Sequence, residues 1–271
     1  MEQVHKALRE LGKSIKSLNG DSAPKDVHKL RTASRRVEAI AGVLEAEGKK
    51  ARRLVKAIEP LRKAAGGVRD MDVLLSDARR LARYSQGESL NHLLSHLETT
   101  RQQNADELQH ALHHRHKAVI QDLKEYSKLV ASAQKHQRPG SAANQQASQT
   151  QEEIQSSALN VMRELGDWRP LDADNLHAFR LKVKQLRYTI QLEPQADAGL
   201  VEALDEVQRR IGDWHDWHQL EDIAREVLVF EQDRALLDRI ADTARRRFNR
   251  ALASANALRG KYLNMPLPMG A

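Results

Sequence analysis

"VHKLRTASRRVEAI" at residues 27–40 and "LHAFRLKVKQLRYTI" at 176–190 follow one pattern: an apolar residue, His, a variable residue, an apolar residue, Arg, then further Arg or Lys. At about 100° per residue, Val27, Leu30, Ser34, Val37 and Ala41 form one helical stripe suited to packing. Leu176, Phe179, Val183, Leu186 and Ile190 repeat it. Opposite the first stripe lie His28, Arg31, Thr32 and Arg35, with Lys25 and Arg36 beside them. Opposite the second lie His177, Arg180, Lys184, Arg187 and Tyr188. A solvated amphipathic helix normally mixes charge signs to gain i,i+4 pairs. Residues 176–187 contain no acid, which favours a face kept positive for an anion.

Working outward, each basic helix is preceded by capping residues: Asp21 and Ser22 before Pro24, and Asp172 and Asp174 before Leu176. His28 and His177 therefore fall in an early turn, where unpaired backbone N–H groups add positive potential. This pattern predicts an anion site rather than a nucleophile.

A second pair of segments repeats in the same order. "AAGGVRDMDVLL" (64–75) aligns with "RRIGDWHDWHQL" (209–220), placing Gly66 on Gly212, Arg69 on His215 and Asp70 on Asp216. His28 and His177 are 149 residues apart and the two glycines 146, so the halves differ by a three-residue gap. Gly66-Gly67 inside a helical pattern costs about 1 kcal/mol per glycine relative to Ala. Close packing against the basic helix is the expected reason, with Asp70 and Asp216 accepting hydrogen bonds from its Arg or His. A sharper alternative makes Asp70, Asp72 and Asp216 metal ligands, but neighbouring guanidinium groups oppose a cation.

Nearly every segment has helical period and strong helix formers, so the fold class is all-α. Breaks fall at 18–26, around Gly48, at 84–89, at 166–174, at 193–199 and near Phe230–Asp233. The Gln/Ser/Ala-rich stretch 134–150, containing Pro139-Gly140, reads as a flexible connection. The expected organisation is one four-helix half at 1–133, a second at 151–263 and a frayed tail at 264–271. Two motifs recurring in order point to duplication of a four-helix unit.

The 271 residues carry 44 Lys and Arg against 37 Asp and Glu, a net charge of +7 that favours an anionic partner. Aromatics make up only 4 % of the chain, too few for a stacking platform for single-stranded nucleic acid. With no cysteine, disulfides, zinc thiolates and thiol catalysis are excluded, and a cytoplasmic setting is expected. No apolar run nears the roughly 20 residues that span a bilayer, so no membrane partner is expected.

Taken together, His28-x-x-Arg31-x-x-x-Arg35-Arg36, Gly66-x-x-Arg69-Asp70-x-Asp72-Val73, His177-x-x-Arg180-x-x-x-Lys184-x-x-Arg187-Tyr188 and Gly212-x-x-His215-Asp216 resemble the CHAD family, α-helical domains marked by histidines. The resemblance implies two four-helix bundles related by internal duplication with pseudo-twofold symmetry. It implies a basic groove or pore that binds inorganic polyphosphate without catalysis or cofactor, and association with polyphosphate granules. From the basic faces and the resemblance together, the expected polyphosphate-binding residues are Lys25, His28, Lys29, Arg31, Arg35, Arg36, Arg69, His177, Arg180, Lys184, Arg187 and Tyr188, supported by Asp70, Asp216, Gly66 and Gly212. Two departures stand out. Glu38 occupies a position where the family often has Arg, and Gln191 replaces a common Glu, so the first half should bind more weakly at its C-terminal end.

Three alternatives compete. A metal-dependent histidine-aspartate phosphohydrolase would use His177, His215-Asp216 and Asp222, yet the duplicate half has Arg69-Asp70, and arginine cannot ligate a metal. "HALHHRH" (110–116) and "HLLSH" (92–96) offer i,i+4 histidine pairs without an accompanying acid or cysteine. Nucleic acid is the third, but the basic faces lack base-reading Asn or Gln and no helix-turn-helix pattern appears.

Overall fold

The computed structural model describes residues 2–18, 23–43, 48–82, 87–136, 155–190 and 197–263. Among these it is helical, without strands. The chain divides into two compact units, residues 1–138 and 139–271.

Unit 1 contains α1 (Glu2–Ser17), α2 (Pro24–Val43), α3 (Gly48–Leu81) and α4 (Glu88–His136). α4 runs through residues 134–136, which the composition assigned to the connection. The rest of that stretch, the 264–271 tail, Asp21, Ser22 and Gln191 lie outside the described residues. α2 begins on Pro24, whose fixed φ suits a first helical turn and whose missing N–H costs nothing there. The packing stripe behaves as its period requires: Val27, Leu30, Ser34 and Val37 are buried. Val27, Leu30 and Val37 join Leu8, Leu11 and Ile15 of α1, Leu54, Ile58 and Leu61 of α3 and Leu108, Val119 and Tyr126 of α4 in one core. Beyond that core, α3 and α4 continue as a pair, burying Met71, Leu74 and Leu75 on one side and Leu90, Leu93 and Leu97 on the other. Arg101 of α4 donates to Asp72 of α3 at 2.7 Å, tying this pair together.

Unit 2 contains α5 (155–166), α6 (Leu176–Ile190), α7 (Ala198–Val227) and α8 (Phe230–Leu258), the last running into a wider π turn, Arg259–Leu263. The break expected near Phe230–Asp233 falls just earlier, at Leu228–Val229, because Asp233 reaches back to accept from the Val229 N–H at 2.8 Å. All five stripe residues of α6 are buried. They pack with Val161 and Leu165 of α5, Leu204, Val207 and Ile211 of α7 and Ala251 and Ala255 of α8. Burying each such Val, Leu or Phe side chain contributes about 1.5–3 kcal/mol, so the stripe fixes which face of α6 points outward.

The entry into α6 pairs Asp172 with Asn175. Asp172 accepts from the Asn175 N–H at 2.9 Å, and Asn175 accepts from the Asp172 N–H at 3.3 Å. This is the reciprocal logic of a capping box with Asn in place of Glu or Gln. Asn175 is buried and also donates to the Pro170 carbonyl at 2.8 Å.

Candidate functional site: two basic helix crossings

In unit 1 the basic face of α2 meets α3 around Gly66. Arg31 extends across the helix pair, its Nε lying 3.9 Å from where a Cβ on Gly66 would sit. Its Nη2 donates to Asp70 at 3.5 Å, the pairing expected for that carboxylate. His28, one turn earlier on α2, has its pKa held below the ordinary 6.5 by partial burial, then by the positive charges of Arg69 and Arg31. His28, Arg31 and Arg69 thus share one positive neighbourhood, with one contribution from α3 and two from α2.

Unit 2 repeats this crossing more tightly. A Cβ on Gly212 would lie 2.8 Å from Nη2 of Arg180, and Arg180 Nε donates to the Gln208 carbonyl at 3.3 Å. The His177 ring of α6 packs on the His215 ring of α7, centroids 4.8 Å apart. The His215 pKa is lowered by burial first, then by His177, Arg180 and His218, while Asp222 opposes them. Asp216 follows His215 on α7, half-buried. Further along α6, Arg187 stands 4.7 Å from the Tyr188 ring centroid and Lys184 5.7 Å. Tyr188 offers these cations a π face, which holds the long side chains near the helix surface.

The other cations of the first face are more occupied. Lys29 pairs with Asp26 at 2.8 Å and Arg36 with Glu10 at 2.6 Å, both exposed. Lys25 is exposed and Arg35 half-buried. Glu38 accepts from Arg62 of α3 at 2.6 Å. At the equivalent position of unit 2, Arg187 donates to Asp205 of α7 at 3.0 Å. In each unit the basic helix is bridged to the helix that follows it, by an acid on α2 and by an arginine on α6. Arg62 and Asp205 carry no signal in the sequence that would mark them as the partners.

The two glycines of α3 have different neighbours. Gly66 faces α2 as expected, whereas Gly67 faces Asn104 of α4, whose side-chain atoms would stand 3.2–3.3 Å from an added Cβ. The aspartates read as candidate metal ligands serve other cations: Asp70 receives Arg31 and Asp72 receives Arg101. Among the described residues, no three His, Asp or Glu side chains gather closely enough to hold a metal ion. The His110 and His114 rings of α4 lie 4.3 Å apart on an exposed surface.

Chemically, each crossing offers guanidinium donors fixed by a neighbouring helix and an imidazole ready to gain a proton when negative charge arrives. That arrangement can bind an oxyanion. No helix among the described residues is long and apolar enough to cross a membrane.

None of the curated proteins and none of the solved structures compared with the chain matches it. A family model described as the CHAD domain matches residues 2–225, which takes in both basic helices, both glycine crossings and all of unit 1. With the motifs, their order and that match in agreement, the chain belongs to the CHAD family.

Proposed function

We propose that this chain binds inorganic polyphosphate along the basic faces of α2 and α6 and does not turn it over. The observation that carries the reading is the recurrence of one crossing. His28, Arg31 and Arg69 in unit 1 correspond to His177, Arg180 and His215 in unit 2, with an arginine laid over a glycine in each. We take the two units as copies of one ancestral four-helix bundle. A ligand that repeats its charge along its length can then engage two receptors of one kind, gaining from the second contact being intramolecular. Phosphate oxygens need only charge and hydrogen bonds, which Arg, Lys and His⁺ supply. In a cell such binding would recruit the protein to polyphosphate granules.

The test is a titration comparing long-chain polyphosphate with duplex DNA of equal charge at physiological salt. Tighter binding of polyphosphate, unchanged by EDTA and with no phosphate released above a protein-free control, is expected. DNA binding that equals or exceeds it would replace the ligand class. EDTA-sensitive phosphate release abolished by Asp216→Ala would instead establish a phosphohydrolase.

A further inference from the structure

On the α1 side of the first basic helix lies a recess of about 510 Å³. Lys13 of α1 and His28, Lys29 and Arg36 of α2 line it, with Thr32 between them. Glu10 is also in the lining, held by Arg36 at 2.6 Å, and Lys29 is steadied from outside it by Asp26 at 2.8 Å. His28 belongs to two places. It lines the recess, and it lies within the electrostatic reach of Arg31 and Arg69 at the glycine crossing. A run of basic side chains therefore leads from the crossing through the His28 imidazole into the recess.

The second basic helix does not repeat this chemistry. At the 149-residue offset, Lys29, Thr32 and Arg36 correspond to Ala178, Leu181 and Gln185, and Leu181 is 53 % exposed. Duplication alone does not account for a cationic recess built on side chains that the second copy of the motif lacks at the corresponding positions. Its composition suits a compact, highly charged group. A terminal phosphoryl group carries about −1.5 to −2 charge and three acceptor oxygens. A group inside a phosphate chain carries a single charge on two free oxygens.

We propose that the α1–α2 recess is a subsite for a terminal phosphoryl group, either the end of a bound phosphate chain or one half of free pyrophosphate, with Lys13 as its outer contact. For the chain end this rests on the polyphosphate reading above; for pyrophosphate it stands without it. Lys13 lies outside the repeated motifs, and its side chain is exposed on α1, so changing it leaves the core untouched.

The experiment measures binding of pyrophosphate, tripolyphosphate and tripolyphosphate with both ends blocked as phosphoramidates to the full chain, its Lys13→Ala and Lys13→Glu variants, and a Lys117→Glu control on α4. Loss of one charge-assisted contact is expected to weaken pyrophosphate and unblocked tripolyphosphate about tenfold in Lys13→Ala. A larger loss is expected in Lys13→Glu and little in Lys117→Glu. Blocking the ends should weaken wild-type binding and make no difference to Lys13→Glu. Equal binding of blocked and unblocked chains to wild type, or Lys13 variants that bind like the control, would overturn the subsite. If long-chain polyphosphate still binds in that case, the polyphosphate reading survives. Pyrophosphate binding that depends on Lys13 without any binding of the long chain would sink the polyphosphate reading and keep the recess.

Discussion

The guanidinium of Arg180 lies over Gly212, its Nη2 2.8 Å from the place a Cβ would take. No side chain larger than hydrogen leaves that guanidinium where it is. The corresponding approach of Arg31 to Gly66 is 3.9 Å, ordinary van der Waals distance. The two glycines thus differ in what they permit, although both interrupt a helix that alanine would favour.

Replacing each glycine by alanine separates helix propensity from ligand placement. Gly66→Ala should stabilise the fold by up to about 1 kcal/mol from helix propensity and leave polyphosphate affinity unchanged. Gly212→Ala gains the same propensity, but its methyl group pushes aside the flexible end of Arg180. Its stability should change little or rise, while affinity falls several-fold. Thermal denaturation and a binding titration on both variants check this. Equal affinity losses, or none in Gly212→Ala, would show that the Arg180 position does not matter to the ligand.

The histidines make binding depend on pH in a definite direction. His28 and His215 both have pKa values below 6.5 in the free protein, from burial first and neighbouring cations second. The folded state therefore holds fewer protons at these sites than the unfolded chain. Their contribution to stability is fully present above pH 6.5 and is lost as pH falls through the lowered folded values. A polyanion beside them favours the imidazolium and raises both values, so binding takes up protons. Affinity should rise as pH drops from about 8 to about 6, by at most about tenfold per pH unit for each proton taken up. His28→Gln and His215→Gln should each flatten the profile. A profile that stays as steep in both variants would place the titrating group elsewhere.

The helical stripes are legible in the sequence, because burial on one face of a helix imposes its period on residue type. Val27, Leu30, Phe179 and Val183 are buried where that period puts them. The glycine crossings were legible as well, since a helix-interior glycine demands a neighbour that comes close. What could not be read was the identity of partners between helices. Glu38–Arg62 and Arg187–Asp205 bridge α2 to α3 and α6 to α7, yet nothing in the spacing of either pair marks it. Gly67 was assigned to the basic helix by adjacency to Gly66. It faces Asn104 of α4 instead, because one residue along a helix rotates the side chain by about 100°. The α1–α2 recess leaves no mark in the sequence for a related reason: Lys13 and Arg36 are far apart in sequence and belong to different periodic patterns.

The strongest discriminating measurement reverses charge on each basic face in turn. Arg31→Glu with Arg35→Glu removes two cations from α2, and Arg180→Glu with Lys184→Glu removes two from α6. Both pairs lie opposite the buried stripes, so helical circular dichroism should stay near wild type. Arg31→Glu also sets a carboxylate near Asp70, and the neutral pair Arg31→Gln with Arg35→Gln serves as the milder form if that strains the fold. Losing two phosphate contacts should flatten the log–log salt dependence by about 1.4, taking the value for single-stranded polyanions as a guide. The α6 reversal should cost more affinity than the α2 reversal. On α2, Glu38 interrupts the positive face and holds Arg62 at 2.6 Å, so less of the polyanion is neutralised there from the start. On α6, the run from His177 to Arg187 contains no acid. Arg245→Glu with Arg246→Glu changes net charge equally from an exposed stretch of α8, where Arg245 pairs with Asp242 at 2.6 Å. Binding in this control should remain close to wild type after the small long-range effect of net charge. If it falls as far as in the α2 and α6 reversals, the ligand responds to overall charge, and neither helix crossing is a site.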